Sequence, residues 1–341
     1  MITGLVDAGL LPDAVLRLGV RRLIAVRARR LAGGGPEAAR ARSEAFLEAK
    51  RTGPVATHVD TANAQHYEVP PAFFEAVLGP RMKYSGALWH PAVVDLAGAE
   101  TAMLDASLEL AGVEDGHRVL DLGCGWGALS LRIAERFPRC EVVAVSNSRA
   151  QRAHIEARAA ARGVERLTVL TQDVNAFAPP GTFDRVLSIE MFEHLWNHER
   201  LMTEIARVLR PGGRLFVHVF AHRETAYPFE DRGVSDWMAR HFFTGGWMPS
   251  HGALAEARTP LRHEGGRFID GTHYARTSRA WLARLDAARA SLVPVLEAAY
   301  GAGEASRWHA RWRAFFVACE ELFGWQGGSV WGVSHHVFGR R

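Results

Sequence analysis

The sequence predicts an α/β protein built around a parallel β-sheet, and two observations support this fold class. From residue 118 onward, short runs rich in Val, Leu and Ile alternate with longer amphipathic segments, which is the pattern of strand–helix–strand units. Glycine-rich and polar turns follow these runs, as they do where parallel strands end beside a ligand. The 341 residues are 48% apolar and 23% charged, which is the composition of a soluble globular protein.

The sequence predicts a helical arm at residues 1–62. The main domain is expected to cover residues 63–341. Pro12 and Asp13 are typical of a helix start, and this helix is expected to run to about Leu31, where the sequence AGGGP stops it. A second helix and a polar linker complete the arm. The arm carries the whole net charge of +4, and the rest of the chain is neutral. A neutral body argues against nucleic acid as a partner.

Strands of the main domain are predicted in order along the chain. The first five are HRVLDLG, EVVAVSNS, LTVLTQD, FDRVLSIE and RLFVHVF. The helix before the fifth strand, LMTEIARVLRPGG, is expected to end at its Pro-Gly-Gly. Residues 221–256 are rich in Trp, Phe and Gly and are expected to form a lid insertion. A sixth strand at 258–269, helices over 277–323 and a closing strand at 329–339 complete a sheet of seven strands.

Signals for targeting and for macromolecular partners are weak. No apolar run approaches the ~20 residues of a membrane span, and the N-terminus lacks the residue order of a secretory signal. Cys124, Cys140 and Cys319 match neither a metal site nor a disulfide framework, so a cytoplasmic location is expected. We expect the basic arm helix to pack on the body, and weak contact with a membrane surface is the alternative. The sequence leaves an oligomer possible.

The turn between the first predicted strand and its helix carries the first chemical signal. It reads VLDLGCGWGALSL, and its glycines, Gly123 and Gly125 among them, let the backbone approach a ligand closely. Dinucleotide enzymes and S-adenosylmethionine (SAM) methyltransferases both use such a turn. The Gly-Trp-Gly here differs from the Gly-x-x-Gly that seats a pyrophosphate, and Asp121 opens the turn with an acid, as in SAM methyltransferases. We therefore predict SAM as the cofactor.

Polar residues follow the next two strands, where the nucleoside of a cofactor is expected. Asp173 can accept a hydrogen bond from the adenine amino group, with Val174 against the ring. The side-chain amides of Asn147 and Gln151 can bond the ribose diol. Each residue alone is more often an ordinary cap at a strand end. Together, at the carboxyl ends of consecutive strands, they predict one cofactor cleft.

With these residues in place, the chain resembles the cyclopropane-fatty-acid-synthase superfamily of SAM methyltransferases, and within it the coclaurine N-methyltransferase-like branch. The matching stretches span nearly the whole chain and include NAQHYEVPPAFF, MKYSGALW, VSNSRAQ, DRVLSIEMFEH, HFFTGGWMPS and GTHYARTSRAWL. The resemblance implies a Rossmann-like, seven-stranded class I SAM methyltransferase fold with an N-terminal helical arm and a helical lid insertion. It also implies that Tyr84 and Ser85 contact the methionine end of SAM, beside Gly123.

Two branches of this superfamily differ in their chemistry, and the stretch LSIEMFEHLWN separates them. Lipid cyclopropane synthases remove a proton with the help of a bound bicarbonate. The residues here that match the bicarbonate site are Gly86, Glu193, His218, Phe220 and Tyr274. Amine N-methyltransferases have an extra acid three residues before the shared one, which is Glu190 here, whereas lipid enzymes have Gly at that position. Gly86 also replaces a cysteine that is common to both branches.

A carboxylate–imidazole cluster at the end of a strand suits an amine acceptor. Glu190, Glu193 and His194 can attract an ammonium ion, take its proton and stabilise the cation that forms on nitrogen, with Glu190 also beside the cofactor. In isolation, Glu193 and His194 are better explained as caps of the next helix, but their position at the end of a strand beside the predicted SAM site favours a catalytic role. Aromatic side chains are expected to complete a substrate pocket, with Phe243 and Trp325 as further candidates beside Phe192, Phe242, Trp247 and Trp331.

The sequence therefore predicts a SAM-dependent methyltransferase whose partner is a small molecule, the nitrogen of an aromatic or alkaloid-like amine. The alternative is C-methylation of an unsaturated lipid, in the manner of a cyclopropane-fatty-acyl-phospholipid synthase. A SAM-binding regulator without activity is a third hypothesis, which the acidic cluster argues against. The acceptor itself and the number of methyl transfers are not specified by the sequence.

Overall fold

The computed structural model describes residues 2–57, 69–230, 233 and 237–340. Its strands are β1 Arg118–Leu122, β2 Glu141–Ser146, β3 Leu167–Thr171, β4 Phe183–Ile189, β5 Leu209–His222, β6 Tyr227–Pro228, β7 Trp247–Met248, β8 Leu261–Asp270 and β9 Trp331–Arg340. Seven of them form one sheet in the order β3-β2-β1-β4-β5-β9-β8, and β6 pairs with β7 separately. The predicted seven-stranded α/β sheet is confirmed.

The first five strands of the large sheet are parallel, whereas β9 runs antiparallel to both β5 and β8. β1, β2 and β4 are apolar and mostly buried, as expected for central strands that helices cover on both faces. Because parallel strands all end at the same edge, the residues that follow β1, β2, β3 and β4 meet there. This edge is where the sequence predicts the cofactor cleft.

Helices cover the sheet and extend beyond it at the N-terminus. Their bounds are α1 Ile2–Asp7, α2 Asp13–Ala32, α3 Gly35–Lys50, α4 Pro71–Val77, α5 Leu96–Ala111, α6 Ala128–Arg136, α7 Arg149–Ala160, α8 His198–Val208, α9 Trp237–Phe242, α10 Thr272–Ala287, α11 Arg289–Tyr300 and α12 Ala305–Phe323. The predicted arm helix therefore exists as α2. The predicted boundary between arm and domain, at residue 62, lies outside the described residues.

The predicted end of the helix before β5 is wrong. α8 ends at Val208, and β5 begins at once with Leu209, which pairs with Phe183 of β4. Pro211 has no N–H to donate, and Gly212 has a φ of +73°, so this pair of strands shifts register before regular pairing resumes. The Pro-Gly-Gly is thus an irregularity at the start of a long strand. Because β5 continues to His222, the predicted lid insertion at 221–256 overlaps the last two residues of this strand.

The arm is fixed to the body by ion pairs between α2 and α12. Arg17 lies 2.7 Å from Glu321 and 2.9 Å from Glu320, and Arg21 lies 2.6 Å from Glu321. Both glutamates are less than a tenth exposed. Two arginines of this basic helix are therefore bound to the body, because α12 supplies the complementary charge. This attachment holds α2 over the large cavity described below.

Glu321→Gln is expected to loosen the arm without unfolding the sheet. The change removes the charge that holds Arg17 and Arg21, and loss of the partly buried pair with Arg17 costs about 1 kcal/mol. Trypsin should then cleave the arm faster than in the unmodified protein, and the melting temperature should fall. Glu109→Gln, which removes an exposed partner of Arg136, is the control. Equal cleavage rates in the two variants would contradict this account of the arm.

Candidate active site

The glycine turn after β1 has the backbone geometry that its sequence predicts. Gly123 and Gly125 have φ values of +80° and +51°, where residues with a Cβ are strained. A Cβ on Gly123 would lie 2.9 Å from the side chain of Met191, whereas one on Gly125 would enter open space. Asp121, at the end of β1, accepts a 2.5 Å hydrogen bond from Ser130 Oγ, and burial raises its pKa to about 6. Asp121 therefore ties the start of α6 to the glycine turn.

A narrow cleft opens beside this turn at the carboxyl edge of the sheet. Ser146 Oγ donates a 2.6 Å hydrogen bond to Gln151 Oε1 and so fixes one side chain of the cleft wall. The structure brings together most of the predicted cofactor residues here. The lining includes Gly123, Gly125, Asn147, Gln151, Val174 and Glu190, together with Gln172, Met191 and His194.

Asp173, predicted to bind the adenine amino group, is not among the residues that line this cleft. Its side chain is exposed and accepts a 2.9 Å hydrogen bond from the Asn175 N–H, so it caps the short helix that follows β3. Gln172 faces the cleft instead. Its Nε2 donates to the Ala176 carbonyl, and its buried Oε1 has no hydrogen-bond partner among the described residues. Adjacent residues in extended chain point in opposite directions, and the sequence motif does not say which one faces the cleft.

The polar groups of the cleft fit SAM. Open space beside Gly125 allows close approach to the backbone, and Gln172 Oε1 is an unused acceptor for an amino group. The side chain of Asn147 lines the same cleft, and Glu190 supplies negative charge near a sulfonium. When bound here, SAM supplies an electrophilic methyl group. Tyr84 and Ser85, predicted for its methionine end, line the cavity that adjoins the cleft at Gly123.

Glu190 lies where the cleft meets the larger cavity, directly after β4. Its Oε1 accepts from the Gly86 N–H at 2.9 Å and lies 3.2 Å from His218 Nε2, and its Oε2 accepts from the Tyr274 hydroxyl at 2.7 Å. The backbone N–H of Glu190 donates to the His218 carbonyl at 2.8 Å. Its φ of +48° is unusual for a residue with a side chain and costs about 1–2 kcal/mol. Hydrogen bonds therefore hold a strained residue in one orientation.

The donors that bind Glu190 are groups that the resemblance assigns to a bicarbonate site. Gly86, His218 and Tyr274 all bind the Glu190 carboxylate. The Phe220 N–H, the other matched backbone donor, donates to Glu193 Oε1 at 2.8 Å. A Cβ on Gly86 would lie 3.0 Å from the Tyr274 ring, so a cysteine there requires a shift. In this chain, its own carboxylates occupy the donors of that site.

Lys83 holds the backbone that carries the Gly86 donor, and no sequence motif singles it out. Its ammonium donates to Ser85 Oγ at 2.5 Å and to the Gly86 carbonyl at 2.6 Å. Burial lowers the pKa of Lys83 to about 8, opposed by the charges of Glu190 and Glu100. Burial also raises the pKa of Glu190, opposed first by Lys83. The available signal was composition, since Lys83 is one of two lysines in an arginine-rich chain.

Glu193 and His194 share a short helix, Phe192–His194, but face different surroundings. Glu193 is wholly buried and lines neither the cleft nor the cavity, so the structure places this predicted catalytic residue behind the wall, bound to Phe220. Burial raises its pKa well above the usual range. His194 lines both spaces, and burial lowers its pKa to about 4. A neutral imidazole therefore faces the cavity at neutral pH.

Tyr274 and His218 flank Glu190 in different ways. Tyr274 lines the cavity, and its ring stacks on Phe323 with 4.1 Å between centroids. Burial raises the pKa of Tyr274 well above its usual value, so it acts as a hydroxyl donor. His218 is fully buried and does not line the cavity, and burial lowers its pKa well below the usual value. Of the predicted catalytic side chains, Glu190, His194 and Tyr274 thus reach the cavity surface.

The cavity has a volume of about 990 Å³, and three parts of the chain add apolar walls to its lining beside the glycine turn. The N-terminal helices α1 and α2 contribute apolar side chains, α12 contributes one wall, and the segment between β5 and β8 contributes aromatic rings. The lining includes Leu16, Val20, Ile24, Tyr227, Phe229, Trp237, Phe243, Phe315 and Phe323. Glu190 and His194 are acceptors on an otherwise largely apolar surface. The sequence did not indicate that the arm and α12 form part of this wall.

The four aromatic residues that the sequence predicts for the pocket do not line it. Phe192, Phe242, Trp247 and Trp331 are each at most 1% exposed and lie in the core. Trp247 Nε1 donates to the Phe192 carbonyl at 2.9 Å, and Trp331 Nε1 donates to the Tyr227 hydroxyl at 3.0 Å. These hydrogen bonds hold the indole rings of Trp247 and Trp331 in the core, away from the cavity. Of the two further candidates, Phe243 lines the cavity and Trp325 does not.

The sequence and the fold of the chain match those of known proteins. Residues 56–331 match the family described as mycolic acid cyclopropane synthetase. The chain belongs to this family. The predicted superfamily, the class I SAM methyltransferase fold and the predicted class of enzyme, a methyltransferase that uses SAM, are thereby confirmed.

Members of this family related to the chain include proteins from both chemical branches. (S)-Coclaurine N-methyltransferase of Thalictrum flavum subsp. glaucum is 35% identical over 291 residues, which are 84% of this chain and 81% of that protein. Cyclopropane-fatty-acyl-phospholipid synthase of Escherichia coli strain K12 is 32% identical over 228 residues, 66% of this chain and 56% of that protein. The crystal structure of coclaurine N-methyltransferase bound to N-methylheliamine and SAH superposes with a TM-score of 0.95 at 32% identity, covering 99% of this chain and 98% of that one.

Within the described residues of this family member, no helix is long and apolar enough to cross a membrane. The basic arm helix, α2, is instead bound along one side to α12. Weak contact of the arm with a membrane surface and an oligomeric state stay predictions.

Proposed function

We propose that this enzyme transfers a methyl group from SAM to the nitrogen of a small aromatic or alkaloid-like amine. One observation carries the proposal. Gly86, His218 and Tyr274, which match the bicarbonate site of the lipid branch, all bind the carboxylate of Glu190. A carboxylate that belongs to the protein faces the cavity where a lipid enzyme binds a soluble anion. Relatives named as amine N-methyltransferases, at up to 35% identity, support the same branch.

The charge requirements of an amine acceptor explain this arrangement. An amine is mostly an ammonium ion at neutral pH and must lose a proton before its nitrogen can act as a nucleophile. Glu190 Oε2 accepts one hydrogen bond, from Tyr274, and keeps lone-pair capacity for the ammonium N–H. After methyl transfer, nitrogen again carries positive charge, and the fixed carboxylate stabilises it where it forms. General-base help of this kind contributes ~10²–10⁴-fold.

The other side chains of the site have distinct roles in this proposal. His194, neutral at the cavity surface, is a second acceptor for the proton or for the ammonium N–H. Tyr274 and Lys83 hold Glu190 and the 85–86 backbone in place. The aromatic wall excludes water and packs against the rings of the substrate, with about 0.5–2 kcal/mol for each good cation–π contact. Alignment of the nitrogen with the methyl donor lowers the barrier further, by up to ~7–11 kcal/mol.

A product survey tests this proposal directly. The enzyme is incubated with SAM and separately with tetrahydroisoquinolines, phenethylamines and vesicles of unsaturated phospholipid, and the products are identified by mass spectrometry. We expect a mass gain of one methylene group on a cyclic aromatic amine and none on the lipid. A cyclopropanated or C-methylated lipid without any N-methylated amine would contradict the proposal. Formation of S-adenosylhomocysteine (SAH), the demethylated product of SAM, without any methylated acceptor would support only the class of enzyme and not the proposed acceptor.

The lipid alternative is favoured by one feature, the apolar surface of the arm. Leu10 and Leu18 are each 69% exposed, and Val15 is 52% exposed. Such side chains beside arginines are typical of helices that bind anionic membranes. Sedimentation with phosphatidylglycerol vesicles discriminates the two functions. We expect little binding, and tight, salt-sensitive binding would favour the lipid alternative.

We also propose a cytoplasmic location, which the cysteines support. All three thiols are buried and free of disulfides.

A further inference from the structure

Three polar side chains form a row across the sheet that leads to Glu190. Arg267 on β8 is the register partner of His335 on β9, and His335 is the register partner of His218 on β5. His218 in turn pairs with Ile189, the residue before Glu190. Side chains of register partners lie on the same face of a sheet. The row thus runs from the exposed Arg267, through two buried imidazoles, to the carboxylate.

Hydrogen bonds join every member of this row. Arg267 Nε donates to His335 Nδ1 at 3.3 Å. His335 Nε2 lies 3.0 Å from His218 Nδ1, and His218 Nε2 lies 3.2 Å from Glu190 Oε1. Each imidazole therefore uses both of its nitrogens. No nitrogen of these two rings is left for another partner.

The first member of the row sets the direction of all the hydrogen bonds. A guanidinium has donors and no acceptor, so His335 Nδ1 must accept and the proton of that ring must sit on Nε2. His335 Nε2–H then donates to His218 Nδ1, which places the proton of His218 on Nε2, facing Glu190. Burial lowers the pKa of both histidines well below the usual value, so each ring carries one proton.

We propose that His335 and Arg267 are positioning residues, which fix the tautomer of His218 so that it donates to Glu190 and keeps this carboxylate ionised and in place. The inference rests on the proposed function, in which Glu190 binds and deprotonates an amine. It has a second consequence. The row cannot carry a proton away from Glu190, because each ring nitrogen on the Glu190 side already bears one. The proton must leave on the cavity side, where His194 lies.

Other charged and titratable groups also face this region and define the background of any pH profile. Glu190 is influenced by Lys83 from the loop before α5, Tyr274 from α10 and His194 from the short helix after β4. Glu193 and Cys319 both feel the charge of Glu190. His335 is influenced by His218, Arg267, Lys83 and His336. A substitution at Arg267 changes the row of Arg267, His335 and His218 and leaves the other titratable groups around Glu190 in place.

The tautomers can be measured without any substrate. Two-bond ¹⁵N–¹H spectra of ¹⁵N-histidine-labelled protein, assigned with the His218→Gln and His335→Gln variants, distinguish protonated Nε2 from protonated Nδ1. We expect both histidines to be Nε2–H tautomers in the unmodified protein. In Arg267→Leu, His335 should populate the Nδ1–H form. An Nδ1–H tautomer of either histidine in the unmodified protein would overturn the inference.

Kinetics then test the effect on Glu190. Without Arg267 or His335, His218 can turn its unprotonated nitrogen toward the carboxylate, which favours the protonated form of Glu190. We expect the acid limb of the kcat profile for an amine to move up by roughly 0.5–1 pH unit in Arg267→Leu and His335→Leu. Arg267→Lys and His335→Gln keep a donor and should restore most of the original profile. SAH affinity should stay within roughly threefold in all four.

Arg262→Leu is the matched control, since Arg262 lies on the same strand, is exposed and binds only the carboxylate of Glu264 among the described residues. If Arg267→Leu shifts the acid limb no more than Arg262→Leu does, the inference is wrong. The methylation assay and the tautomer spectra test different claims, so either one can fail without the other. Absence of amine methylation by the unmodified protein would refute the proposed function, whereas the tautomer spectra judge the row by themselves.

Discussion

Glu190→Gly is expected to lower kcat for amine methylation by roughly 10²–10⁴-fold, the contribution of a general base. SAH affinity, measured by calorimetry, should change by no more than roughly threefold, because Glu190 is one of many groups that line the cofactor cleft. The carboxylate faces the acceptor, so its loss removes proton abstraction and cation stabilisation together. Equal losses in turnover and in SAH affinity would place Glu190 in the cofactor site instead.

Glycine is an informative replacement because of the backbone at this position. Glu190 has a φ of +48°, which glycine adopts without strain. Relief of this strain, about 1–2 kcal/mol, offsets part of the cost of leaving the donors around Glu190 unpaired. The variant should therefore fold, with a melting temperature no more than a few degrees below that of the unmodified protein. Glu190→Gln is the matched control. It keeps the strain and the shape but removes the charge, and it should lose a similar factor in kcat.

The same variant leaves the donors of Gly86, His218 and Tyr274 without their carboxylate. Small carboxylates can then enter the vacated space. We expect formate or bicarbonate to restore part of the activity of Glu190→Gly, and chloride at the same ionic strength to restore none. Glu190→Gln, whose side chain still fills the site, should show no rescue. Rescue of both variants to the same extent would indicate a nonspecific salt effect.

Gly125→Val is expected to reduce SAH affinity by at least roughly 10²-fold. A Cβ at this position enters the open space of the cofactor cleft, with no atom within 4 Å, so a branched side chain occupies the volume that the ligand needs. The positive φ adds about 1–2 kcal/mol of strain. Calorimetry with SAH measures the loss.

Gly163→Val separates ligand exclusion from strain. Gly163 has a φ of +65° and also has open space beside it, but it lies at an exposed turn after α7. Both variants should lose similar stability, and only Gly125→Val should lose SAH. Undiminished SAH binding by Gly125→Val would refute the placement of the cofactor at this turn.

The features that the sequence predicts correctly are those that a backbone or a charge requires locally. Gly123 and Gly125 have the positive φ values that their turn requires. Glu190 reaches the cavity because β4 ends immediately before it, and the end of a strand is visible in the hydrophobic pattern. Asn147 lines the cleft because it directly follows β2, and Gln151 lines it from the first turn of α7.

The features that the sequence does not predict depend on contacts between distant segments. Adjacent side chains in extended chain point in opposite directions. A shift of one residue at the end of β3 therefore decides whether Asp173 or Gln172 faces the cleft. Phe242 packs in the core, with its ring centroid 4.4 Å from that of Phe315, whereas Phe243 lines the cavity. Which of the two rings faces the cavity depends on how α9 packs on α12. The role of the arm depends on ion pairs between residues about three hundred positions apart.

The central claim is that the protein's own carboxylate, Glu190, faces the acceptor nitrogen. A crystal structure of the complex with SAH and an N-methylated tetrahydroisoquinoline measures this directly. We expect the nitrogen at roughly 2.6–3.2 Å from Glu190 Oε2, with the nucleoside beside Gly123 and Gly125. A complex in which Glu190 points away from the nitrogen, or in which a bound anion separates the two, would contradict the claim.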